Sequence, residues 1–197
     1  LIRPAISWKG LFNMDSLAQL LKTYLPHNDF ASLKIPLHVA ATDIGKGEVV
    51  YFNSGKLIEP ILASSCIPGM FEPIFYESRY LVDGGVLNNM PVEPLQASCE
   101  VLIGVNCNHL PELAAVRNVK NLLERAVMMN MNFNAYSRKS ACTYFIEAPG
   151  LGQFGVFDLK KAPEFFQAGY NQAMKVIEAN PSLLEIFQPL QPQPSDL

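Results

Sequence analysis

The chain has 197 residues, 49% of them hydrophobic, which suits one globular domain with a sizeable core and no need for metal or disulfide staples. A net charge of −3, a pI near 5.6 and the lack of any basic run exclude the clustered Lys and Arg that nucleic acid binding requires. Pro, Gly or charge interrupts every apolar run short of spanning length, so no transmembrane helix is predicted and any membrane contact is peripheral.

Taken in chain order, Leu17, Leu20, Leu21 and Tyr24 have helical spacing behind an Asp15 or Ser16 cap, and Pro26 closes that helix. Ile35 to Asp43 is a nearly continuous apolar strand that turns through Ile44-Gly45-Lys46-Gly47 into a second strand, Val49 to Phe52. A run apolar on both faces predicts a sheet covered on both sides. A short helix is expected over Leu57 to Ser65, ended by Pro68-Gly69, and two short strands over Ile74 to Tyr76 and Tyr80 to Val82. Val101 to Asn106 reads as another buried strand. The stretch from Ala114 to Ala148 lacks Gly and Pro, and its apolar spacing at Val116, Val119, Leu123, Ala126 and Val127 predicts a long helix before a strand at Thr143 to Ala148. Pro163 starts a last helix running to about Glu178, and a Pro-rich polar tail, residues 189–197, is expected to be flexible. Strands alternating with helices make this an α/β domain.

The candidates for chemistry are few. Cys66, Cys99, Cys107 and Cys142 form no C-x-x-C pair and match no zinc framework; they are read as ordinary, mostly buried thiols, and no metal or cofactor is expected. Met128, Met129 and Met131 are read as adaptable core filler on the long helix, with a lipid-contacting face as the other reading. His38 is placed inside an apolar strand as a core residue and His27 in a loop, while His109, just past a strand, is read as a surface residue or a base. Asp43 reads as a hairpin residue. Asp83 is different: it follows an apolar strand directly and leads into Gly84-Gly85. Asp-Gly signals a tight turn at positive φ. Yet the carboxyl ends of strands are where ligands bind in open α/β sheets, and paired glycines let a substrate approach the backbone. The residues alone leave both readings open. No G-x-S-x-G and no glycine-rich oxyanion loop occurs, and Ser64 and Ser65 fall at a helix end.

The block Ile61 to Leu95, ILASSCIPGMFEPIFYESRYLVDGGVLNNMPVEPL, resembles patatin-like phospholipases, bacterial members in particular. SWKGLFNMDSL, IPLHVAATDIGKGEVVYF, VLIGVN and FGVFDLKKAPEFFQAGY are similar to the same family, in order along the chain. The resemblance implies a three-layer α/β/α fold with a mostly parallel central sheet, incomplete at the N-terminal side. Residues 1–188 would form the C-terminal portion of a single domain. It also implies a lipid acyl hydrolase, with phospholipid or another acyl-ester lipid as partner, working through a Ser–Asp dyad. Carried over, Asp83 is the general base and Gly84 and Gly85 complete the motif. The nucleophile and oxyanion hole are not in this chain and are expected N-terminal to Leu1. An inactive lipid-binding or scaffolding homologue and an acyltransferase are the alternatives. Pro68, Met70, Phe71 and Asn88 are the candidate lining of the substrate groove, with ordinary core packing as the equal alternative for the stretch Cys66 to Pro73.

Overall fold

The computed structural model describes residues 3–4, 12–110, 112, 115–116, 118–149, 151 and 159–186. Its elements run β1 (Arg3–Pro4), β2 (Phe12–Asn13), α1 (Asp15–Tyr24), β3 (Val39–Asp43), β4 (Glu48–Phe52), α2 (Ile58–Ser64), β5 (Ile74–Tyr76), β6 (Arg79–Asp83), α3 (Glu93–Gln96), β7 (Ile103–Asn106), α4 (Val119–Ser137), β8 (Tyr144–Glu147), α5 (Ala162–Ala179) and α6 (Ser182–Glu185). The predicted elements are all there, within a few residues at their ends. The short β1, β2, α3 and α6 are additions to them, and the tail at 189–197 lies outside the described residues.

The principal sheet has the order β4-β3-β6-β5 and is antiparallel at every pairing, unlike the mostly parallel sheet expected. The reason is local for two of the three pairings. β3 and β4 join through a four-residue turn in which Gly47 takes φ 70°, and β5 and β6 join through Glu77 and Ser78, both left-handed at φ 48° and 61°. Such short links permit only antiparallel pairing, and two successive positive-φ residues match the right-handed twist of a hairpin. The parallel pair among the described residues is β7–β8, joined through α4.

β3 is buried along its whole length because it is covered from both sides. α2 packs over it, and the turn that follows β6 folds against it. A continuous apolar run therefore reported cover rather than strand direction. The strand is also shorter than predicted, since Ile35 is 79% exposed and the ladder begins at Val39.

Phe30, Val39, Ala41, Phe52, Leu57, Ala63 and Leu81 form the main core between α2 and the sheet. α1 lies on the outer side of α2, where Leu17 and Leu21 meet Met14, Ile58 and Leu62. Its cap differs from expectation: Met14 is the capping residue, without a side-chain bond, and Asp15 sits in the first turn, where its charge suits the helix dipole. A second cluster, Met90, Val92 and Ala135 with Leu102, Cys142 and Phe145, binds α4 and the β7–β8 pair to the segment after Asp83.

Candidate active site

Asp83 is the last residue of β6, paired with Ala41 of β3, and Gly84–Val86 follows as a single 3-10 turn. The chain is fixed there from both ends. The Asp83 N–H donates to the Cys66 carbonyl at 2.9 Å, and the Gly84 carbonyl accepts the Leu87 and Asn88 N–H groups at 3.2 and 2.8 Å. The Asp83 carboxylate caps the turn, its Oδ1 accepting the Gly85 N–H at 2.7 Å. Among the described residues this is the hydrogen bond made to that carboxylate, and none is made to Oδ2. Burial pushes the Asp83 pKa up, and the Gly85 N–H offsets part of the rise.

Neither Gly84 nor Gly85 has positive φ, so the expected left-handed turn is not the reason for the glycines. The reason at Gly84 is contact. A Cβ there would lie 2.4 Å from the Ala40 carbonyl oxygen and 2.8 Å from its carbon, both backbone atoms of a buried strand. At Gly85 a Cβ would meet the ends of side chains, Met131 Cε at 2.8 Å and Asn89 Oδ1 at 2.9 Å.

A cleft of about 400 Å³ opens over this turn. Asp83, Gly84 and Gly85 form part of its wall together with Leu37, His38, Ile61, Ser64, Asn88 and Pro91. Asn88 is thus among the residues of its wall. Pro68, Met70 and Phe71 are not part of that lining: Phe71 packs toward Met14, Ile58 and Leu62 of the α1–α2 core, and Pro68 is exposed. His38 does not take the core position expected of it; it stands just before β3, half-buried, on the cleft wall. The signal that would have found it is its place one residue ahead of the ladder that carries Asp83.

Ser64 and Ser65 share the cleft but sit at the C-terminal end of α2. Helix carbonyls point out of that end, a field that disfavours a developing oxyanion. The Ser65 hydroxyl donates to the Ile61 carbonyl at 3.0 Å. Cys66 is fully buried, and its thiol donates to the Glu72 carbonyl at 2.8 Å. Burial, with the Asp83 charge adding, pushes its pKa to about 11, so it is no nucleophile near neutral pH. The prediction of mostly buried thiols holds for Cys66 and fails for Cys99 and Cys107, which are exposed.

Asp43 is a hairpin residue, as read: its buried carboxylate accepts the Gly45 and Lys46 N–H groups at 2.9 and 3.1 Å. His109 belongs to a different neighbourhood, at the carboxyl ends of β7 and β8. Its Nδ1 lies 3.5 Å from Glu147 Oε2, and the same carboxylate accepts from Asn106 at 2.6 Å and from the Tyr136 hydroxyl. That hydrogen bond to Glu147, with burial, pushes the Tyr136 pKa to about 12. His109 does not line the Asp83 cleft. Of the methionines, Met131 reaches the Asp83 turn and Met129 is 54% exposed, so the three are not uniformly core. The described residues contain no group of acids, His and Cys able to hold a metal, and none of their helices is long and apolar enough to cross a membrane.

The chain is similar to known proteins over part of its length. Residues 1–95 match the family model described as patatin-like phospholipase, a range that ends just past the Asp83 turn and its Pro91. An uncharacterized NTE family protein of Mycobacterium tuberculosis is 31% identical over 109 residues, covering 55% of this chain and 30% of the relative; its Mycobacterium bovis counterpart matches to the same extent. A second uncharacterized NTE family protein of M. tuberculosis is 21% identical over 169 residues, covering 73% of this chain and 29% of the relative. The chain thus spans about 30% of the length of these relatives. Over residues 1–95, a range that holds the Asp-Gly-Gly turn and its cleft, the chain is similar to the patatin-like phospholipase family model.

Proposed function

We propose that this chain carries the general-base half of a lipid acyl hydrolase, with Asp83 as the base and the nucleophilic serine and oxyanion hole supplied by a segment preceding Leu1. The observation that carries the reading is the Asp83 carboxylate itself. It is held by the Gly85 N–H, raised in pKa by burial, and faces a cleft inside the patatin-like match.

The chemistry follows from that environment. A carboxylate of ordinary pKa, about 3.9, is a weak base toward a hydroxyl. Desolvation strengthens it. In the first step Asp83 takes the serine proton as the serine oxygen forms a bond to the ester carbonyl carbon. Collapse of the tetrahedral intermediate breaks the ester bond and returns the proton to the departing alkoxide. Water then repeats the sequence on the acyl-enzyme, giving free fatty acid and the restored serine. Leu37, Ile61 and Pro91 supply an apolar side to the cleft for the acyl chain, and the polar wall at Ser64 and Asn89 faces the ester end.

The test is Asp83→Asn in the full-length protein, assayed on a phospholipid and on a soluble acyl ester. Loss of the base lowers turnover by roughly 10²–10⁴, while His109→Ala leaves it close to wild type. Full activity in Asp83→Asn, or loss of activity only in His109→Ala, overturns the assignment. Acyl product appearing on an added alcohol in place of free fatty acid would identify an acyltransferase using the same base.

A further inference from the structure

Asn88 lines the cleft, yet none of its polar atoms is free to meet a substrate. It is 2% exposed. Its Nδ2 donates to the Tyr51 hydroxyl and to Glu93 Oε2, both at 2.8 Å, and its Oδ1 accepts the Met90 N–H at 3.1 Å. The amide has two donor hydrogens and both are used. The same Glu93 oxygen accepts the Tyr51 hydroxyl at 3.1 Å, and its other oxygen accepts Arg138 Nε at 2.6 Å. Burial alone would raise the Glu93 pKa, but the bonds from Arg138, its own backbone, Asn88 and Tyr51 hold it below the usual carboxylate range. Glu93 is therefore a carboxylate receiving three side-chain donors from β4, the post-Asp83 loop and the end of α4.

This node sits at the far end of the turn that presents Asp83. The Asn88 N–H closes that turn on the Gly84 carbonyl, and the turn delivers the Gly85 N–H to Asp83 Oδ1. Helix α4 holds the turn from outside as well, through Asn130 Nδ2 on the Val86 carbonyl at 2.7 Å. A slack turn would lose the Gly85 N–H and let the carboxylate rotate. Displacement of a reacting group by about 1 Å is enough to cost on the order of 10²-fold in rate.

We propose that Asn88 is the positioning residue of the Asp83 turn and that the Glu93–Arg138 ion pair is the clamp that fixes Asn88. This rests on Asp83 being the base, and the experiment separates the two claims. In full-length protein, Asn88→Ala lowers kcat per folded molecule by about 10- to 100-fold, with KM for a soluble ester within about twofold of wild type. Arg138→Met lowers kcat in the same direction and Arg138→Lys recovers part of it. Because the residues act in one chain, the double variant Asn88→Ala/Arg138→Met is no slower than Asn88→Ala alone. Hydrogen exchange of the peptide covering residues 81–92 quickens in each variant while that of the β3–β4 hairpin does not. Should Asn88→Ala prevent folding, Glu93→Gln and Arg138→Met give the same exchange and kcat readings. Unchanged kcat per folded molecule, additive losses in the double variant, or exchange that quickens evenly along the chain would each overturn the positioning role. Full activity in Asp83→Asn would remove the base assignment instead, and the exchange result would still judge whether Asn88 and the clamp hold the turn.

Discussion

Asp83 is held in a state that folding does not favour. Its folded pKa lies above the unfolded value of 3.8, because burial disfavours the charge more than the Gly85 N–H restores it. The sign of the linkage follows. Below the unfolded pKa the carboxyl is neutral in both states and makes no difference. As pH rises through the folded pKa the unfolded chain releases its proton more readily, so stability falls. Asp83→Asn should therefore raise the melting temperature at neutral pH, with the gain shrinking as pH falls through the folded pKa and absent below the unfolded one. Thermal melts of both proteins at several pH values check this; a gain independent of pH would place its cause elsewhere. In turnover the same shift moves the acid limb of the kcat/KM profile above the ordinary carboxylate range, since the base must be ionised to act. The residue pattern alone singles out Asp83, through the apolar strand ahead of it and the two glycines behind it. It does not reveal that Asn88, expected to line the groove, has its amide fully committed to Tyr51, Glu93 and Met90, because those partners lie up to 37 residues away along the chain.

At the scale of elements, the Asp83 turn works because β3 and the turn come together without a side chain between them. Gly84→Ala would drive a methyl into the Ala40 backbone, which cannot yield as a side chain does. Overpacking of that kind costs about 1–3 kcal/mol and displaces Asp83 as well. Gly85→Ala meets Met131, Asn89 and the Asp83 carboxylate, and the first two are side chains that can move. The expected order is a larger loss of stability and of turnover for Gly84→Ala than for Gly85→Ala, read from urea denaturation and ester assay. An equal effect of the two would mean that the close approach to Ala40 is relieved in solution. Sequence periodicity found nearly all these elements, but the direction of the strands escaped it. A buried strand reads as apolar whether its neighbours are parallel or antiparallel; here the hairpin turns at Gly47 and at Glu77-Ser78 set two of the three pairings, and the β3–β6 pairing has no local turn behind it.

Over the whole molecule, polar and apolar surfaces are unevenly shared. Val119, Leu122, Leu123, Val127 and Phe133 on α4 are all more than half exposed, as is Val105 on β7. An exposed apolar set of this size on neighbouring elements favours association. If a preceding segment supplies the serine, the 197 residues produced alone should self-associate on gel filtration and turn over no ester, whereas the full-length protein hydrolyses it. Ester hydrolysis by the 197 residues alone would show that the nucleophile lies within them. By itself the amino-acid sequence determined the element order, the hairpin role of Asp43 and the prominence of Asp83, since these rest on local periodicity and on turn residues adjacent in the chain. Tertiary structure alone decided the antiparallel pairing of β3 with β6, the packing of Phe71 on the α1–α2 core, the place of His109 beside Glu147, the contact reason for Gly84, and the node that joins Asn88 to Glu93 and Arg138. Each of those depends on groups brought together across long stretches of chain, where packing and hydrogen-bond geometry leave no local trace in the residue pattern.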